Sequence, residues 1–226
     1  MNETVELAES KPSSLQTLQI RECSFSFRGF FDRPRPLESI HTTQLAETFL
    51  DMFREYNLSA TDIVLEKGDS LFGYSLKAHL YNRLVSINVG AIAVEANFLR
   101  LVAIADRRIA AECIKKLIDL FGSLLSQYCF FEAAIHADFS SAKDREDFFS
   151  HHADSGLDLG GILAYKKMDK EQLIRLEIDQ SYTYPNGAFI DFRTMGMTLQ
   201  DFLSSDPIWR RFFDLIEPFA LRLDDV

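Results

Sequence analysis

Apolar and polar residues alternate over several long stretches of the chain, and between them the apolar spacing lengthens to that of a helix. Residues 15–28 are dominated by Thr, Ile, Cys and Phe, with Phe25 and Phe27 on one face, as in a strand. The segment 29–36 reads as a loop, because Pro34 and Pro36 forbid regular pairing and Gly29 permits a reversal. Leu45, Phe49, Met52, Phe53 and Tyr56 then form a helical stripe that Thr42 or Thr43 can cap. Three strand-like runs follow, at 62–67, 71–81 and 84–105. The last is long enough for a bent strand or a hairpin around Gly90 or Asn97.

Asp106 can cap a helix over 107–128 whose buried side holds Ile109, Cys113, Leu117, Leu120, Phe121 and Leu124. A strand at 130–139 and a short helix from Ser140 or Ser141 to His152 come next. Strands at 157–167, 173–182 and 188–194 follow, the last two joined by a turn ending in Asn186-Gly187. Residues 199–219 are helical in pattern, with Pro207 at a first-turn position.

The order is strand, helix, three strands, helix, and then the same again. The expected fold is therefore α+β, an antiparallel sheet of about six to eight strands with helices packed on one face. It reads as one domain over 15–226, with 1–14 as an acidic, polar, disordered lead-in rather than a signal peptide. A duplicated β-α-β-β-β-α unit, with halves 15–128 and 129–226, accounts for the order; recurrence of common α+β orders is the alternative. The layout is similar to pseudo-twofold saddle and helix-grip folds, a likeness that carries no function.

Composition narrows the classes. Lysine and arginine total 24 against 34 acidic residues, a formal charge of −10, which disfavours general nucleic-acid binding. Twenty phenylalanines against one tryptophan imply a Phe-rich interior. Cys23, Cys113 and Cys129 match no zinc or redox spacing, so buried thiols in a reducing, cytoplasmic compartment are expected. No apolar run is long enough to span a membrane.

Chemistry-bearing residues gather in four places. Alternation along 130–139 puts Glu132, His136 and Asp138 on one strand face, and Asp144, Asp147 and His151 share a helical face after it. Imidazole and carboxylate at that density make His136, Asp138 and His151 weak candidates for a metal site, but no His-Glu-x-x-His spacing exists and an acidic solvent-facing helix explains most of the pattern. No Gly-x-Ser-x-Gly elbow is present, and Gly160-Gly161 lacks the Lys-Ser/Thr of a phosphate loop.

The second place is a charged strand face, Arg175, Glu177 and Asp179, with Asp191 and Arg193 near it across a hairpin. Cross-strand ion pairing accounts for such a face, and so does a concave surface that grips a partner. The third is the 29–36 loop, where Phe30, Phe31, Arg33 and Arg35 combine aromatic and guanidinium groups on a stiff segment; tucking of one Phe into the core is the simpler alternative. The fourth is the C-terminal helix with Trp209, Phe212, Phe213, Ile216 and Phe219, either core or an oligomer interface.

No cofactor is implied. The expected function is a non-enzymatic protein-interaction module, an acidic accessory, inhibitor or immunity-type subunit binding another protein through Phe30, Phe31, Arg33, Arg35, Arg175, Glu177, Asp179 and Arg193. A small-ligand pocket between sheet and helices is one alternative. A metal-dependent hydrolase using His136, Asp138 and His151 is another.

Overall fold

The computed structural model describes residues 15–37, 39–67, 73–80, 85–100, 104–152, 161–167, 173–195, 197–199 and 214–224. The expected lead-in at 1–14, most of the helix expected at 199–219 with Pro207, Trp209, Phe212 and Phe213, and Gly160 lie outside the described residues.

A sixteen-residue strand organises the fold: β1 (Gln16–Phe31). Its inward positions switch parity partway along. Leu18 and Ile20 are buried, then Cys23, Phe25 and Phe27. A bulge does this, since β1 gains one residue between Ile20 and Glu22 against its partner β6 (Leu125–Asp138). An extra residue in one strand re-aims every side chain after it, and so an apolar set on both even and odd positions reaches one core.

Around this pair stand β2 (Ile63–Lys67), β3 (Tyr74–Leu80), β4 (Val85–Val89) and β5 (Ala93–Phe98) on one side. On the other are β7 (Ile162–Lys167), β8 (Leu173–Gln180) and β9 (Gly187–Met195). The order is β2-β3-β4-β5-β1-β6-β9-β8-β7, and every neighbouring pair on this path is antiparallel. Outward from the centre β1 is followed by β5, β4 and β3, and β6 by β9, β8 and β7, so the two sides are arranged alike. Two short strands complete the sheet: β10 (Met197–Thr198) pairs with β6, and β11 (Leu221–Asp224) runs parallel to the start of β1.

Helices α1 (Ser39–Met52), α2 (Ile104–Phe121) and α3 (Ala142–His152) add Phe49, Leu117 and Phe148 to the same core as the inward strand residues. The fold class is thus the one expected: α+β, with helices packed on a large antiparallel sheet. Among the described residues the sheet has eleven strands, against the expected six to eight. The 84–105 run splits at Gly90, whose N–H donates to the Ala93 carbonyl at 3.0 Å, into β4 and β5. Leu221 and Leu223 add an inward-facing strand beyond the expected last helix, and residues 214–219 form a 3₁₀ helix.

Two boundaries also differ. Helix α2 begins at Ile104, so Asp106 lies inside it, and it ends at Phe121. Leu125 needs an extended backbone to reach the core beside Gly29, so strand β6 starts five residues before the expected 130. At α3 the expected cap is present: Ser141 Oγ accepts the Asp144 N–H at 3.1 Å and bonds the Asp144 carboxylate at 2.7 Å.

The phenylalanines build the interior in pairs. Phe25 stacks on Phe131 at 5.6 Å, Phe49 meets Phe53 at 5.6 Å, and Phe139 meets Phe148 at 5.5 Å. Strand parity makes a direct forecast. Phe27→Ala, deep in the core, should cost about 3–5 kcal/mol of unfolding free energy. Leu163→Ala, on the outer face, should cost within about 0.5 kcal/mol. Urea denaturation of both variants checks this, and comparable losses would contradict the assignment of faces.

Candidate functional site

The helices cover one face of the sheet. On the other, the charged side chains among the described residues are exposed or half-buried with one exception, Asp191, which is 2% exposed. Register sets the rows of this face. Tyr165, Arg175, Arg193, Glu132, Ser26 and Asn97 lie directly opposite one another in succession across six strands, from β7 to β5. Arg175 and Arg193 are therefore adjacent like charges, an unfavourable cross-strand pair if left alone.

Asp191 relieves that repulsion. Its Oδ2 receives Arg193 Nε at 2.7 Å and lies 3.7 Å from Arg175 Nη1. Glu132 Oε1 lies 2.8 Å from the same Arg193 Nε, and Arg175 Nη2 donates to Glu177. Across β6, Arg28 Nε meets Glu95 Oε1 at 2.8 Å. The arginines are thus held by carboxylates within the sheet surface.

The cost of this arrangement falls on one group. Burial pushes the Asp191 carboxyl above the usual carboxylate range, against the pull of Arg193 and Arg175 and with Glu132 adding to the rise. Burial pulls the Arg193 guanidinium down, but Asp191 and Glu132 together outweigh it and shift the group upward. Asp191 Oδ1 accepts no hydrogen bond among the described residues.

A break in the ladder opens a cleft beside these arginines. Glu132 pairs with Arg193, but the next contact is Cys129 with Met197, so β9 and β10 carry an extra residue against β6. Thr194 fills the gap: its Oγ1 accepts the Phe131 N–H at 2.8 Å and donates to the Phe131 carbonyl at 3.1 Å. Over this interruption lies a cleft of about 450 Å³ bordered by Arg28, Phe30, Phe130, Glu132, Arg175 and Arg193. Phe30 and Phe130 meet edge to face at 5.6 Å within it, and Phe130 is 44% exposed.

The residues singled out from sequence separate. Arg175 and Arg193 border the cleft, and Glu177 holds Arg175. Asp179 lies two rows from Arg175, its Oδ1 accepting the Gln180 N–H at 2.7 Å. The expected 29–36 loop is corrected. Strand β1 continues through Phe31, and Gly29 is an inward strand position rather than a reversal. Parity then sends Phe30 to the cleft and Phe31 to the core, against Phe121 at 5.9 Å. Arg33 is exposed, and neither it nor Arg35 borders the cleft. Arg35 is half-buried, with its N–H on the Ala91 carbonyl at 2.6 Å. Of the C-terminal aromatic set, Ile216 is buried and Phe219 packs against the core.

The three metal candidates do not assemble. His136 Nδ1 bonds Ser181 Oγ at 2.9 Å and its ring packs 5.0 Å from Phe189, while Asp138 holds Arg21 Nε at 2.7 Å. His151 is exposed on α3. Among the described residues no three His, Cys, Asp or Glu side chains are grouped to hold a metal ion. Burial pushes the Cys113 thiol up to about 12, far from a reactive thiolate. Among the described residues no helix is long and apolar enough to cross a membrane.

Arg28, Phe130, Ser26 and the bulge at Thr194 were not expected. Parity alone could have found Arg28, since Phe25 and Phe27 point inward beside it. No protein-family model matches the chain, and no curated protein matches it.

The strain on Asp191 has a pH signature. A carboxyl raised in the folded state favours folding fully below its unfolded value, near 3.9, and loses that contribution as pH rises through the folded value. The stability of the wild type relative to Asp191→Asn should therefore fall as pH rises above about 4. Parallel urea titrations test this; a wild-type advantage that grows with pH would show that the arginine pairing outweighs burial.

Proposed function

We propose that the protein acts by binding another protein through the open face of its sheet, with the cleft between β1 and β9 at the centre of the contact. The observation that carries this is Phe130, an exposed aromatic ring set between arginines that buried and half-buried carboxylates hold in place. Aromatic and arginine side chains in an orderly pocket are the composition of interface hot spots. A sheet loses little entropy on docking, since its backbone is already fixed by pairing on both sides.

Two further features support the reading. Leu163 and Tyr165 stand on the same face of β7, 57% and 56% exposed, and extend the apolar surface beyond Arg175. Asp191 is the kind of buried charge that a hydrophobic replacement commonly improves on for stability, and its contacts with Arg193 and Arg175 orient both guanidinium groups. The role is that of an accessory, inhibitor or immunity-type subunit. Burial of Cys23, Cys113 and Cys129 accords with a reducing, cytoplasmic setting.

The test compares native-host co-purification by the wild type with that by Phe130→Ala/Tyr165→Ala, read by quantitative mass spectrometry. Both positions are accessible, so folding should survive with a change of about 1 kcal/mol or less. Binding of a specific partner should weaken by about 2 kcal/mol or more. Leu65→Ala, on the distant β2 edge, should leave it intact. A partner retained equally by the double variant would move the interface elsewhere.

A further inference from the structure

Within that cleft the arginines are held in one particular way. Arg28 Nε lies 2.8 Å from Glu95 Oε1, and Arg193 Nε donates to Asp191 Oδ2 at 2.7 Å with Glu132 Oε1 2.8 Å from the same nitrogen. Among the described residues, neither arginine makes a hydrogen bond through Nη1 or Nη2. A guanidinium presents five N–H donors in a planar fork, so tethering Nε leaves the four outer N–H donors, two on each Nη, fixed and unspent. Both side chains are 51% exposed and border the same cavity. They come from β1 and β9, on either side of β6, and adjacent strands are about 4.8 Å apart. Side chains of that length can close over the gap from both walls, with the Phe30–Phe130 pair beside them.

We infer that the cleft is a receptor for a single acidic side chain, a glutamate or aspartate next to an apolar residue in the protein partner. This rests on the interaction reading above and names what the centre of that contact recognises. Planar outer donors match a planar carboxylate bidentately. The Phe30–Phe130 pair offers the neighbouring apolar residue a surface. Glu132, on the cleft border, is already neutralised by Arg193, yet it opposes a doubly charged phosphate more than a singly charged carboxylate.

The probe is acetyl-Phe-Glu-amide, titrated into the full chain and followed by the Arg Nε–H and backbone amide resonances. Shifts should centre on Arg28, Arg193 and Thr194, and the uncharged acetyl-Phe-Gln-amide should bind about ten-fold more weakly. Arg28→Lys keeps the charge but removes the fork, and should lose a similar factor, as should Arg193→Gln; two variants guard against one that misfolds. Equal binding of the two peptides, no peptide-induced shifts, or full affinity in both arginine variants would overturn the inference. So would tighter binding of inorganic phosphate, or of acetylphenylalanine with its terminal carboxylate. If the peptide behaves as expected while the partner ignores Phe130→Ala/Tyr165→Ala, the wider interaction reading fails and the carboxylate receptor stands. If the partner depends on those residues and the peptide does not discriminate, only the receptor fails.

Discussion

Everything in this molecule is referred to the antiparallel pairing of β1 with β6. These are the two longest strands, they lie at the centre of the sheet order, and each brings one half of the remaining strands into place. Their shared pleat decides which residues meet the helices and which meet solvent. A slip of one residue would exchange the faces of all of them. The bulge near Arg21 is the device that keeps the start of β1 in the same core as its middle, and the ladder break at Thr194 opens the outer face just where the arginines stand.

The outer face is consequently a rigid platform on which charges are arranged by register. Arg175 and Arg193 are forced opposite each other by the β8–β9 hairpin, and Asp191 sits one row along to bridge them. Such a cluster contributes little to stability, because burying Asp191 costs hydration that the flanking arginines only partly return. Its product is orientation: guanidinium groups with fixed planes and free outer donors, beside an accessible phenylalanine. That combination connects strand pairing to the proposed recognition surface through a short causal chain.

Much of this was legible in the sequence, and the limits have physical causes. Period-two alternation placed Glu132, His136 and Asp138 on one face of β6 and Phe131, Ala133, Ile135 and Ala137 on the other, and the structure agrees. Arg175 and Arg193 were identifiable because the Asn186-Gly187 turn fixes their hairpin locally. The sequence points to Phe30 as a contact residue but puts it in a loop; strand pairing runs on through Phe31, closer to Pro34 than the two prolines imply. Arg28, Phe130 and the cleft itself depend on β1, β6 and β9 lying side by side across more than a hundred residues of chain, and no local pattern encodes that adjacency. The burial of Asp191 is of the same kind, since it follows from neighbours contributed by separate strands.

The central proposal is that the arginine-bearing face of the sheet binds a protein partner. Hydroxyl-radical footprinting of the native complex addresses it most directly, because aromatic side chains report their own exposure. The account predicts protection at Phe130 and Tyr165, with Val64 and Leu65 at the far β2 edge reacting as in the free protein. Protection at the β2 edge or on the helical layer, with Phe130 and Tyr165 unchanged, would contradict it.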